Sequence, residues 1–119
     1  MPEIEAPFLH QRDGKYYLFV NWGKCCRGTN STYEIRVGRS DRITGPFLDR
    51  SGRDLREGGG TLLLAGADEF IGPGHASILQ RDGQEWLAHH YYAKSLGGRS
   101  RLRLVRLAWD SSGWPHVQP

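Results

Sequence analysis

Apolar residues fall in short alternating runs separated by clusters of Gly, Pro, Asp and Asn, without the three-to-four-residue recurrence of an amphipathic helix. Residues 5–10 predict a strand, Arg12-Asp13-Gly14-Lys15 a hairpin turn with the Asp-Gly signal, and Tyr16 to Trp22 a strand dense in aromatic and β-branched residues. Gly23 to Thr32 reads as a polar loop and Tyr33 to Ser40 as a third strand. Gly45-Pro46-Phe47-Leu48 reads as a short edge strand, where Pro is tolerated. A Gly-rich linker over 50–60, a short strand over 61–65 and a loop over 66–74 follow. Then the order restarts: strand 75–80, turn Arg81-Asp82-Gly83-Gln84, strand 86–92, loop 96–100, strand 102–109 and a last edge strand opened by Gly113-Trp114-Pro115. A helical turn finds room only at 51–57, where Gly58-Gly59-Gly60 would stop it.

The restart is an internal repeat. A constant shift of 69 residues takes Gln11-Arg12-Asp13-Gly14 to Gln80-Arg81-Asp82-Gly83, Leu18 to Leu87, Ile35 to Leu104, Asp41 to Asp110 and Pro46 to Pro115. Each unit reads as four antiparallel strands with the most apolar first, the plan of a β-propeller blade; a β-sandwich of two similar halves is the alternative. The fold class is therefore all-β, one partial domain with blades at 1–60 and 61–119. Propellers close with about four to eight blades, so two need either the rest of a longer protein or further copies to cover their faces.

With 38% hydrophobic and 24% charged residues, the 119-residue chain is globular. Its net charge of +3 is mild, and the densest cations, Arg99, Arg101, Arg103 and Arg106, accompany no nucleic-acid motif. Arg101 and Arg103 alternate with Leu102 and Leu104, which predicts arginines toward solvent and leucines toward the core. No apolar run approaches the 18 or so residues of a membrane span, and Met1 leads directly into the first strand, so no signal peptide is expected; localisation is left unassigned. The only cysteines, Cys25 and Cys26, are adjacent. Neighbours on a strand point to opposite faces, so a disulfide, a zinc site and cysteine nucleophilicity are all disfavoured.

In a propeller the first strand of each blade lines the central channel, and its leading residues open on the ligand-binding face. Those positions hold Glu5 in one unit and Gly74-His75 in the other, an acid and an imidazole facing one channel. Glu3 reads as a solvated acid, Asp13 and Asp82 as turn residues, Asp41 and Asp110 as structural, Trp86 and Tyr91 as packing, and His89 and His90 as one core and one surface histidine.

Around these positions runs a series of motifs: Ile4-Glu5-Ala6-Pro7-Phe8, Cys25-Cys26-Arg27-Gly28 with Asn30-Ser31-Thr32-Tyr33, Val37-Gly38-Arg39-Ser40 with Ile43-Thr44-Gly45-Pro46, Gly58-Gly59-Gly60-Thr61-Leu62-Leu63, Ile71-Gly72-Pro73-Gly74-His75, and Trp109-Asp110 with Gly113-Trp114-Pro115. In this order they resemble the endo-1,5-α-L-arabinanases of glycoside hydrolase family 43 over nearly the whole chain. The resemblance implies the fourth and fifth blades of a five-bladed propeller and an inverting mechanism, in which an acid protonates the leaving oxygen and a separate carboxylate activates water. It implies that Glu5 is the general acid and that His75, with waters, holds a calcium or similar ion. It places Cys26, Arg27, Asn30 and Ser31 near the sugar cleft, and His90 beside them. The family's base and pKa-tuning aspartates belong to other blades and find no match here. The resulting expectation is an arabinan-directed fragment of weak or no activity alone, with arabinan or arabino-oligosaccharide as ligand. The alternatives are a non-catalytic half-propeller that self-associates into a homo-oligomer and a carbohydrate-binding module.

Overall fold

The computed structural model describes residues 3–118 and contains two four-stranded antiparallel sheets, each in simple meander order. The first comprises β1 (Ile4–Arg12), β2 (Lys15–Trp22), β3 (Glu34–Ser40) and β4 (Thr61–Leu64). The second comprises β5 (Phe70–Arg81), β6 (Gln84–Ala93), β7 (Arg99–Trp109) and β8 (Pro115–Gln118). Both hairpins predicted from Asp-Gly form. Asp13 and Gly14 have φ of 50° and 76°, and Asp82 and Gly83 have 53° and 74°, the paired positive values of a type I′ turn.

The outer edge of the first sheet departs from expectation. Leu48 makes only isolated bridges, to Arg39 and Asp54, and the strand over 61–64 pairs with Ile35, Arg36 and Val37, so the first sheet runs past residue 60 to Leu64. The loop between them is wound around Asp49, whose carboxylate accepts the N–H groups of Ser51, Arg53 and Gly60, each at 2.9 Å. That knot lets the chain leave β3's edge and return to it. The fifth strand also begins earlier than its apolar pattern suggested, because Phe70 and Ile71 pair with Ala93 and Tyr92 before two register shifts around Gly74.

The core is the seam between the sheets. Tyr17, Phe19, Ile35 and Val37 meet Ala76, Leu87, Val105, Leu107 and Trp114 in one buried cluster. Polar ties cross the same seam: Tyr17 donates its hydroxyl proton to the Gly113 carbonyl at 2.6 Å, and Arg39 donates to the Ser112 carbonyl at 2.8 Å while lying over the Trp114 ring. Glu85 accepts from the Trp109 indole and from Gln80, and lies 2.9 Å from His10. Asp110 caps its own turn through Ser112 and Trp114 and pairs with Arg50, the structural role expected of it.

The expected orientation of β7 is reversed. Leu102 and Leu104 are 74% and 55% exposed, while Arg103 is half-buried with its guanidinium 3.9 Å from the centre of the Phe70 ring. Alternation along the strand sets which residues share a face but not which face meets the neighbouring sheet; Val105 and Leu107 are the ones turned into the seam. The outer backbone edge of β7 is paired only over Arg106 to Trp109, leaving 99–105 without a strand partner among the described residues.

Candidate functional site

Glu5 and His75 lie at the same end of the two sheets. Glu5 pairs with Asn21 on β2, and Asn21 reaches across the seam to Pro73 and His75, within β5. Asn21 is fully buried. Its amide nitrogen donates to the carbonyls of Glu34 (2.9 Å) and Pro73 (3.1 Å), and its oxygen accepts the His75 N–H at 2.6 Å. His75 needs this support, since its φ of 60° is left-handed and costs a non-glycine residue about 1–2 kcal/mol. Ala6, next to Glu5, has φ 56° at the register shift between Glu5 and Phe8. The first strand of each sheet thus departs from the regular pleat at the residue expected to matter or next to it.

Glu5 is exposed, and its carboxylate accepts the hydroxyl proton of Tyr33 at 2.9 Å. Burial pushes the Tyr33 phenol well above its ordinary range, and the hydrogen bond to Glu5 and that carboxylate's charge push it further. Tyr33 stacks on His90 with ring centres 5.9 Å apart, and His90 lies 6.4 Å from His75. Burial, and then the nearby His75, hold His90 below the usual imidazole value. His89 is the buried histidine of the pair: its Nδ1 lies 2.8 Å from the His90 carbonyl, its Nε2 has no partner, and burial lowers its pKa.

The loop over 23–33 is held against the second sheet. The Cys26 N–H donates to the Tyr92 hydroxyl at 2.7 Å, and the backbone at Gly28 approaches Gly98 so closely that a Cβ on Gly98 would sit 2.6 Å from the Gly28 Cα. Cys25 and Cys26 are joined in a vicinal disulfide, contrary to expectation. The expectation rested on strand geometry, but these residues are in a loop, and Cys26 is left-handed with φ 69°. Cys26, Arg27 and Asn30 are exposed on this loop. Ser31 is buried and its hydroxyl accepts the Arg27 N–H at 3.0 Å, so it shapes the loop from within. Beside it a cleft of about 380 Å³ opens between Thr29, Thr32, Tyr33, Asp68, Ile71 and Lys94. A second groove, about 470 Å³, lies at the other ends of the strands, around Lys15, Arg39 and Trp114.

Among the described residues no three His, Cys, Asp or Glu side chains converge in the manner of a metal cage. His75 presents a single exposed imidazole, which fits a cation held mainly by water or by groups outside these residues. Tyr33, Asn21 and Tyr92 were not singled out from sequence. Tyr33 closes the Asn-Ser-Thr-Tyr run, and its place directly before β3 is the one signal in the sequence that marks it.

A family model described as Glycosyl hydrolases family 43 matches residues 2–115. The chain is 45% identical over 115 residues to the extracellular exo-α-(1→5)-L-arabinofuranosidase of Cellvibrio japonicus, covering 97% of this chain and 33% of that protein. It is 47% identical over 112 residues to extracellular endo-α-(1→5)-L-arabinanase 1 of Bacillus subtilis, covering 94% and 33%. The Cellvibrio cellulosa α-L-arabinanase, solved with arabinohexaose, superposes with a TM-score of 0.93 at 45% identity, over 97% of this chain and 36% of that one. The chain thus spans about a third of the length of the relatives it matches. Two meander sheets sharing one seam, with an acid on the first strand of one and a histidine on the first strand of the other, are two blades of a family 43 propeller, and the chain belongs to glycosyl hydrolases family 43.

Proposed function

We propose that this chain is the two-blade portion of an arabinan-hydrolysing enzyme that carries the general acid, Glu5, of an inverting mechanism on α-1,5-linked arabinan. The observation that carries the reading is Glu5 at the channel end of β1, hydrogen-bonded to Tyr33, within a chain 45–47% identical to two arabinan-acting relatives. Glu5 would deliver a proton to the leaving glycosidic oxygen, and the exposed Cys26, Arg27 and Asn30 would flank the sugar, with Ser31 setting their loop and His90 backing the acid. His75 would give one nitrogen to a hydrated calcium-type ion, which when bound would supply fixed positive charge in the channel. The water-activating and pKa-tuning aspartates of the family have no counterpart here. Lack of the base alone predicts a rate lower by about 10²–10⁴-fold. Incubation with linear arabinan beside a Glu5→Gln variant tests the assignment. Any product from the parent chain should fall sharply in the variant, and equal product from both would refute the acid role.

The exposed Leu79, Leu102 and Leu104 favour a second reading, in which copies of the chain associate through bare blade faces and serve no catalytic role. Light scattering separates the two: a well-dispersed monomer at high concentration would remove the self-association reading.

A further inference from the structure

We infer that Tyr33 is the positioning residue for Glu5, and that Gly74 of the opposite sheet exists to make room for it. The inference rests on Glu5 being the acid and adds what fixes that acid in space. An exposed glutamate on a strand has three side-chain torsions, and ordering such a chain costs conformational entropy. Glu5 sits beside a register shift and a left-handed Ala6, so the regular pleat does not dictate where its carboxylate points. Among the described residues its only side-chain hydrogen bond is the one from Tyr33, at 2.9 Å.

Tyr33 can fix a direction because it cannot move. It is 3% exposed and stacked on His90 at an interplanar angle of 21°. Its edge lies where a side chain at residue 74 would be: a Cβ on Gly74 would come within 2.2 Å of Tyr33 Cδ2. Gly74 has no positive φ, so the requirement at this position is space rather than backbone freedom. The second blade therefore shapes the slot that holds the ring that aims the first blade's acid. The hydroxyl engages Oε2, which leaves Oε1 as the oxygen that carries the proton. When that proton passes to the glycosidic oxygen, the carboxylate left behind still accepts from Tyr33.

NMR of the whole chain tests this without turnover. In the native chain Glu5 should occupy one rotamer, and the Tyr33 hydroxyl proton should exchange slowly enough to be seen. Tyr33→Phe keeps the ring and removes the donor, and should average the Glu5 rotamers while the sheet amides stay in place. Gly74→Ala should do the same by displacing the ring. Glu5→Ala removes the acceptor and should speed hydroxyl exchange at least about tenfold, as expected for losing a hydrogen bond to a charged group. A Glu5 that keeps one rotamer in Tyr33→Phe would overturn the inference. If that variant does not fold, unchanged hydroxyl exchange in Glu5→Ala overturns it instead. The Glu5→Gln hydrolysis assay fails independently: it would remove the acid role and leave the Tyr33–Glu5 pairing intact.

Discussion

The two faces of the second sheet are made of the same residue types and have opposite fates. Along β7, Val105 and Leu107 are buried in the seam, while Leu102 and Leu104 stand mostly in solvent. The buried set has a complementary surface, the Tyr17, Phe19, Ile35 and Val37 face of the first sheet, reinforced by hydrogen bonds that cross between sheets. The exposed set has none among the described residues. The difference teaches that a blade is apolar on two sides by design, and that only one blade–blade contact of the family's ring is completed within this chain.

Changes at the seam should therefore be costly and changes on the bare face nearly free. Phe19→Ala should produce the largest effect, about 3–5 kcal/mol in urea denaturation, with both sheets melting together. Separate transitions would show that the seam does not unite them. Asn21→Ala should cost about 2–3 kcal/mol, because it strands two carbonyls and the His75 N–H in the interior, and hydrogen exchange at His75 should rise with it.

A smaller effect should come with pH. Burial holds the His89 imidazole below its ordinary value, so the unfolded chain takes up a proton more readily than the folded one. Stability should be fully present above an unfolded-state value of about 6.5 and should decline as pH falls toward the depressed folded value. His89→Leu should flatten that decline, as read from denaturation midpoints between about pH 7 and 5. The smallest change in stability, within about 0.5 kcal/mol, should come from Leu104→Ser or Leu102→Ser. Light scattering should then show less self-association. A large loss of stability in either variant would mean that the bare face is not bare in solution.

Much of this was legible in the sequence. Asp-Gly turns, the 69-residue shift and the apolar first strands are local signals, and each maps onto the hairpins and meanders observed. The place of Glu5 on the first strand followed from the same reasoning. What escaped depends on partners far along the chain. Thr61–Leu64 had to be assigned by where the Asp49-centred loop returns it, not by its composition. The Leu102 and Leu104 face was misjudged because period-two patterning carries no information about which neighbour is present. The Cys25–Cys26 bond was missed by applying strand geometry to a loop. Asn21 and Tyr33 look like ordinary strand residues until Pro73, Gly74 and His75 are brought beside them, more than 30 residues away in sequence.

The unpaired stretch of β7 has one more consequence. An open strand border invites another strand to add to it and so seeds fibres. Here that border runs from Arg99 through Arg101 to Arg103, with cations at every second position. Another copy docking edge to edge would bring like charges together, whereas docking face to face through Leu102 and Leu104 would not. The chain's charge placement thus discourages open-ended edge-to-edge growth without opposing contacts made through the Leu102 and Leu104 face.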